Sequence, residues 1–212
     1  MVLDEKVRKQ VSRQFERLTG SVRLVVFTQE FECDYCRDTR SIAEELAQLS
    51  DKVSVRVHDF GADTDAVQRY RIARIPALVV EGDEDYGIRF YGIPGGYEFS
   101  SLLETIRLVS QRKSELDPST IDFLNGLAED VDIKVFVSPT CPYCPRAVVL
   151  ANHMAIASPR VTAQMIEVGE FPELAVKYQV QGVPRTVVNE TIVQEGAAPE
   201  AVFVSLLRGK LR

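Results

Sequence analysis

Apolar residues recur along this chain with two periods, and the switches between them divide it into short elements. Val7, Val11, Phe15 and Leu18 fall at helical spacing and Thr19-Gly20 closes the run, which predicts an amphipathic helix over 3–18. Leu24-Val25-Val26-Phe27 is a continuous apolar stretch suited to a buried strand, after which Ile42, Leu46 and Leu49 return to helical spacing. Val53-Ser54-Val55-Arg56-Val57 alternates and predicts a strand with one covered face. A short helix over 63–70 precedes two apolar runs, Ala77-Leu78-Val79-Val80 and Ile88-Arg89-Phe90-Tyr91, which fold back around 81–86 as a hairpin. Beyond the glycine-rich turn 92–96, Phe99, Leu102, Leu103, Ile106 and Val109 make a closing helix.

The plan then repeats. The polar stretch 111–117 reads as a boundary, and Asp117-Pro118 as an N-cap followed by proline at the first helical position. A helix over 118–129, a strand over 133–137, a helix over 147–156 and a strand over 161–166 follow in the same order. Val53, Asp59 and Tyr70 map onto Val161, Glu167 and Tyr178 at one offset of 108 residues, and the second hairpin is four residues shorter. The expectation is an α/β chain of two domains, 1–115 and 116–212. Each is a β-α-β crossover joined to a β-β-α hairpin, giving a mixed sheet flanked by helices.

Composition narrows the functional classes. The 212 residues are 45% apolar and 26% charged, which gives each half enough material for its own core. The longest uncharged run, 147–159, is shorter than the roughly 18–20 apolar residues a bilayer span needs, so no membrane is implied. The N-terminus is charged at once and lacks the apolar core of a signal peptide, so a cytoplasmic chain is expected. A net charge of −6 with scattered Arg and Lys offers no basic face, and nucleic acid is not expected as a partner. Arg outnumbers Lys and Trp is absent, a hint of a thermophile or of a GC-rich genome.

All four cysteines lie in two Cys-x-x-Cys motifs, Cys33-Asp34-Tyr35-Cys36 and Cys141-Pro142-Tyr143-Cys144. In each unit a proline stands 43 residues after the first cysteine: Pro76 in Arg74-Ile75-Pro76 and Pro184 in Gly182-Val183-Pro184. That double register favours thiol chemistry over zinc half-sites. A structural zinc held by all four cysteines fits poorly, because a whole domain separates the pairs and Pro142 suits a first helical turn better than a metal knuckle. A cysteine where a strand meets a helix sets its sulfur at the helix N-terminus, where N–H groups favour an anion. Cys33 and Cys141 are therefore the expected nucleophiles with lowered pKa values, and Cys36 and Cys144 the less exposed resolving thiols.

The pattern, with Cys-x-x-Cys after the first strand and Ile-Pro or Val-Pro before the hairpin, resembles two tandem thioredoxin-fold domains. Cys141-Pro142-Tyr143-Cys144 resembles the glutaredoxin motif, and nearly the whole chain is similar to the glutaredoxin-like protein disulfide oxidoreductases of thermophilic archaea and bacteria. The resemblance implies an enzyme that reduces, forms or isomerises protein disulfides, with its cysteine pairs in place of any cofactor or metal. It also implies that Pro76 and Pro184 are cis and lie beside the cysteines, exposing the backbone of Ile75 and Val183 to an extended substrate strand. Protein disulfides and dithiols would be the partners. Two narrower readings are an electron relay from a flavin-dependent thioredoxin reductase to a peroxiredoxin, and a chaperone-like binding module with one inert cysteine pair.

Several residues stay open at this level. Tyr35 and Tyr143 offer either flat apolar contact beside the thiols or plain surface packing. Thioredoxins carry a buried acid six residues before the first cysteine, and Phe27 and Val135 stand there instead. Glu32, Asp59, Glu167, His58 and His153 are weak substitutes, and Arg37 and Arg146 read as helix-surface residues rather than a glutathione site. Asp34 sets a negative charge beside Cys33 that Pro142 does not set beside Cys141. Cys141 is thus expected to be the more acidic thiol and its pair the more oxidising.

Overall fold

Asp4 decides where the first helix begins. In the computed structural model, which describes residues 3–211, its carboxylate accepts the Val7 N–H and α1 spans Glu5–Phe15. Leu3 and Leu18, read as helical, are buried outside it, so the apolar period outlasts the helix by a few residues at each end. The rest of the first unit is β1 (Val22–Thr28), α2 (Cys36–Ala47), β2 (Val53–Asp59), α3 (Thr64–Arg69), β3 (Ala77–Glu81), β4 (Ile88–Tyr91) and α4 (Glu98–Gln111). The second unit is α5 (Pro118–Asn125), β5 (Val131–Val137), α6 (Cys144–Ala157), β6 (Val161–Glu167), α7 (Pro172–Lys177), β7 (Arg185–Val188), β8 (Ile192–Glu195) and α8 (Glu200–Arg208). α5 stops short of residue 129 because Gly126 caps it, and Asp117 caps its start through the carbonyl alone, without a side-chain bond.

The two expected sheets are one. Eight strands run in the order β2-β1-β3-β4-β6-β5-β7-β8, and the halves join where β4 pairs in parallel with β6, from Ile88 on Ala163 to Tyr91 on Ile166. β1, β2, β4, β5, β6 and β8 point one way and β3 and β7 the other. One face carries a core built from Leu24, Val26, Leu46, Ile106, Ile133, Val148 and Met154. The other is covered by α3 and α7 over Val25, Phe27, Tyr70, Phe136 and Tyr178. Alternate residues of β1 supply both cores, as a strand buried on two faces requires.

The helices at the seam lock the halves together. α4 of the first unit packs on α6 of the second, where the Asn152 amide donates to Thr105 Oγ1 at 2.8 Å. At the start of α4 the Tyr97 N–H donates to the Pro139 carbonyl at 2.9 Å. Gly96, with φ of 56°, is required there, since a Cβ would collide with that same carbonyl oxygen.

The repeat is not quite in register. Thr28 lies opposite Asp59 and Val137 opposite Glu167, so the loop from the first strand to the first cysteine has one more residue in the first unit. The spare residue is taken up around Glu32, which adopts a left-handed φ of 56°, and neighbouring Phe31 is 79% exposed. It follows that Phe27 corresponds to Phe136, not to Val135 as an ungapped count suggests.

Candidate active site

Each cysteine pair sits where a strand ends and a helix begins. β1 and β5 run parallel and stop at the same edge of the sheet, and α2 and α6 start at Cys36 and Cys144. Tyr35 and Tyr143 are the N-cap positions, both exposed. Cys33 is bonded to Cys36 and Cys141 to Cys144, with Cα atoms 5.4 and 5.5 Å apart. Cys36 and Cys144 are fully buried, while Cys33 is part-exposed and Cys141 8% exposed, so in each pair the first sulfur faces the surface. Pro145 lies in the first turn of α6, where its missing N–H has no intrahelical acceptor to lose.

The second site is closely assembled around its outer sulfur. Cys141 Sγ accepts the Cys144 N–H at 3.1 Å and lies 3.6 Å from the Val183 carbonyl oxygen. The Val183-Pro184 bond is cis, as is Ile75-Pro76. Pro184 and Pro76 hold equivalent places, each accepting a glycine N–H across its hairpin, from Gly196 at 2.8 Å and from Gly92 at 3.0 Å. Ile75 and Pro76 lead into β3, which is paired with β1 from Phe27 on Ala77, and so stand next to the loop that carries Cys33. The first site is more open. A cavity of about 870 Å³ lies beside Cys33, lined by Glu30, Phe31, Asp34, Arg37, Asp38 and Asp59, and no amide donor reaches Cys33 Sγ among the described residues.

One group was missed by the sequence reading. Glu98, the first residue of α4, is 1% exposed; Ser101 Oγ donates to its Oε2 at 2.6 Å, and its Oε1 is buried without a partner. Burial pushes its pKa up to about 7, against the pull of the Ser101 bond. α4 and α6 both begin beside Pro139, and Thr105 meets Asn152 further along. Counting back seven residues on one helix and eight on the other puts Glu98 level with Cys144, since each residue rises ~1.5 Å. The first unit thus buries a carboxyl at about the same height along the packed α4–α6 pair as the second unit's resolving cysteine. A sequence signal did exist: Glu98, Leu102, Thr105 and Val109 share one helical stripe, so an acid sits on a buried face.

The weaker candidates have other employment. His58 stacks on Phe27 at 5.3 Å and meets Asp63 through Nδ1 at 3.2 Å. His153 Nδ1 accepts the Glu115 N–H at 3.2 Å, and burial lowers its pKa. Asp59 holds the Gly61 and Ala62 N–H groups, Glu32 is exposed, and Arg37 and Arg146 are exposed on their helices. Glu167 is buried rather than on the surface, and accepts the Glu170 N–H at 2.7 Å. No single tetrahedral zinc can collect all four cysteines, because the pairs lie four strands apart while Zn–S bonds are ~2.3 Å. No helix among the described residues is long and apolar enough to cross a membrane.

The fold and the paired cysteines define a thioredoxin-fold protein with two Cys-x-x-Cys disulfides. A thioredoxin-domain family profile matches residues 131–207. The whole chain superposes on a protein disulfide oxidoreductase from Aeropyrum pernix with a TM-score of 0.91 and 27% identity, covering 99% of this chain and 95% of that one. It also superposes on the NTD_N/C domain of alkylhydroperoxide reductase AhpF from Enterococcus faecalis, with a TM-score of 0.88 and 26% identity over 97% and 99% of the two chains. Among curated relatives, an NADH dehydrogenase of Bacillus subtilis is 28% identical over 89% of this chain. This chain spans about a third of that relative's length, 35%.

Proposed function

We propose that the chain is a dithiol–disulfide exchange enzyme for protein substrates, working at two sites in units 1–115 and 116–212. At the second site the Cys141 thiolate attacks one sulfur of a substrate disulfide, forming a mixed disulfide and releasing the other sulfur as a thiolate. The Cys144 thiol then gives its proton to Glu98 and attacks Cys141 Sγ, which closes the Cys141–Cys144 disulfide and releases the second substrate thiolate. A carboxyl with a pKa of about 7 is half-ionised at neutral pH, so it can accept that proton and return it when the cycle runs backward. Val183 and Pro184 would hold an extended substrate strand by main-chain bonds, with Tyr143 as a flat contact beside the sulfur. Cys33, Cys36, Ile75, Pro76 and Tyr35 take the same roles at the first site.

The observation that carries this reading is the position of Cys141 Sγ, between a helix N-terminal N–H and the Val183 carbonyl. The cysteine pairs are the electron carriers of this scheme, which routes no step through a metal or further cofactor, and a cytoplasmic setting would keep them cycling. A second reading is favoured by the likeness to the alkylhydroperoxide reductase AhpF: the chain relays electrons from a thioredoxin reductase to a peroxiredoxin.

Insulin-disulfide reduction with dithiothreitol, for wild type, Cys33→Ser and Cys141→Ser with bound zinc quantified, tests the first reading. Activity that falls in one or both variants is expected; an inactive wild type holding about one zinc per chain would overturn it. Steady-state turnover with a reductase and a peroxiredoxin, far above that with insulin, would favour the relay.

A further inference from the structure

We infer that the two cysteine pairs of one chain are separate ports that do not pass electrons to each other directly, and that equilibrate only through a partner's thiols or a second copy. The inference rests on the thiol-exchange reading and adds how the two sites divide the work. Direct transfer would require a thiolate of one pair, Cys33 or Cys36, to attack the Cys141–Cys144 disulfide. One cross-bridge would form, one cysteine of the second pair would leave as a thiolate, and the remaining thiol of the first pair would then displace the bridge. Every step needs sulfur in contact with sulfur, and a disulfide spans Cα atoms no more than ~7 Å apart.

The sheet forbids that approach. Cys33 follows the second strand in the order and Cys141 the sixth, so four strand spacings of ~4.8 Å, roughly 19 Å in all, separate the strand ends that present them. β3, β4 and β6 fill the interval. Strand twist of roughly 20–25° per step turns the second site by about 80–100° relative to the first, so the outer sulfurs also face different directions.

No hinge offers a way around the distance. The halves share the β4–β6 ladder, and their helices are packed through the Thr105–Asn152 bond, the Tyr97–Pro139 bond and the close approach of Gly96. The Glu170 carboxylate of the second unit also accepts the Ile93 N–H of the first at 2.6 Å, on the sheet edge between the sites. Opening this seam to fold one site onto the other would expose Ile88, Phe90, Ala163 and Met165, all at most 1% exposed. A rigid partner disulfide, for the same geometric reason, engages one port at a time.

The test uses the full chain carrying Cys36→Ser and Cys144→Ser, which leaves only the outer thiols. After mild oxidation with diamide, disulfides are mapped by non-reducing electrophoresis and peptide mass spectrometry across a range of protein concentrations, with circular dichroism to establish that the variant is folded. The expected products are bridges between chains, formed at a rate proportional to concentration, and free thiols at the lowest concentration. A monomer carrying an internal Cys33–Cys141 bridge, formed at a rate independent of concentration, overturns the inference.

Wild type given one equivalent of dithiothreitol supplies an independent readout that needs no variant to fold. Reduction should redistribute between the pairs at a rate that rises with protein concentration and matches a mixture of the two single-pair variants. A concentration-independent rate would again refute it. Failure on insulin would remove the proposed function and leave both of these results standing.

Discussion

The two sites share a motif, a cis proline and a place at the sheet edge, yet they are built differently. Around Cys141 the loop is short and the sulfur accepts the Cys144 N–H, while Glu98 is buried at the start of α4, the helix of the other unit that packs on α6. Around Cys33 the loop is one residue longer, the sulfur opens on a wide cleft, and Asp34 stands beside it. Duplication gave each unit the same parts, but fusion of the sheets gave only one of them a neighbour on its β6 side. The residue that corresponds to Glu98 in the second unit, aligned through Gly92 and Gly196, is Val202, which is apolar and 54% exposed. The difference arises from where a site sits in the joined sheet as well as from the four residues of its motif.

Breaking the seam should break the second site first. Gly96→Ala forces a side chain onto the Pro139 carbonyl at a left-handed φ, and we expect a loss of roughly 2–4 kcal/mol, read by urea unfolding. Activity left in this variant should come from Cys33–Cys36, measured with the second pair removed by Cys141→Ser and Cys144→Ser. Unchanged stability would mean that the α4 start is not held against the loop before Cys141.

Glu98→Gln probes the same seam through its charge. The folded protein holds this proton up to about pH 7, while an unfolded glutamate releases it near 4.5. The stability this group contributes is therefore fully present below pH 4.5 and is lost as pH rises through 7, a decline on the order of 3 kcal/mol. The Gln variant should lack that decline, apart from the share due to Glu170, which burial and the Glu167 charge also raise to about 7. Parallel stability–pH curves for wild type and variant would refute this assignment.

The same substitution should slow turnover at the Cys141–Cys144 site roughly 10- to 100-fold at pH 7, and flatten its pH profile near 7. Turnover at Cys33–Cys36 should not change. Equal losses at both sites would point to a structural role for Glu98 and dissolve the contrast.

How much of this was legible beforehand follows the same division between local and non-local. The helices and strands came from apolar spacing, and the pairing of the cysteines and the matched places of the two prolines from a 43-residue register found in both units, because each is a matter of neighbours along one unit. The joined sheet was not, since Ile88-Arg89-Phe90-Tyr91 reads as an ordinary hairpin strand and nothing in it names β6 as its partner. Glu98 was hidden for a related reason: the helix that covers it, α6, lies in the other repeat, outside any offset of 108. The extra residue before Cys33 was invisible to an ungapped count, and only strand pairing shows that Phe27 answers to Phe136.

The smallest effect concerns acidity at the two outer sulfurs. A negative charge beside a sulfur disfavours its thiolate, which is the expected effect of Asp34 on Cys33, and among the described residues no amide donates to Cys33 Sγ as the Cys144 N–H does to Cys141 Sγ. Asp34→Asn removes only the first of these, and one charge at ~4 Å in water changes a thiolate fraction by roughly fivefold. Titration of Cys33 and Cys141 in single-site variants should therefore show Cys33 becoming more acidic in Asp34→Asn while staying less acidic than Cys141. If the substitution closes the gap completely, the neighbouring charge is the whole difference and the amide contributes nothing. If Cys33 is the more acidic thiol from the outset, the closer assembly around Cys141 serves substrate alignment rather than thiolate stabilisation.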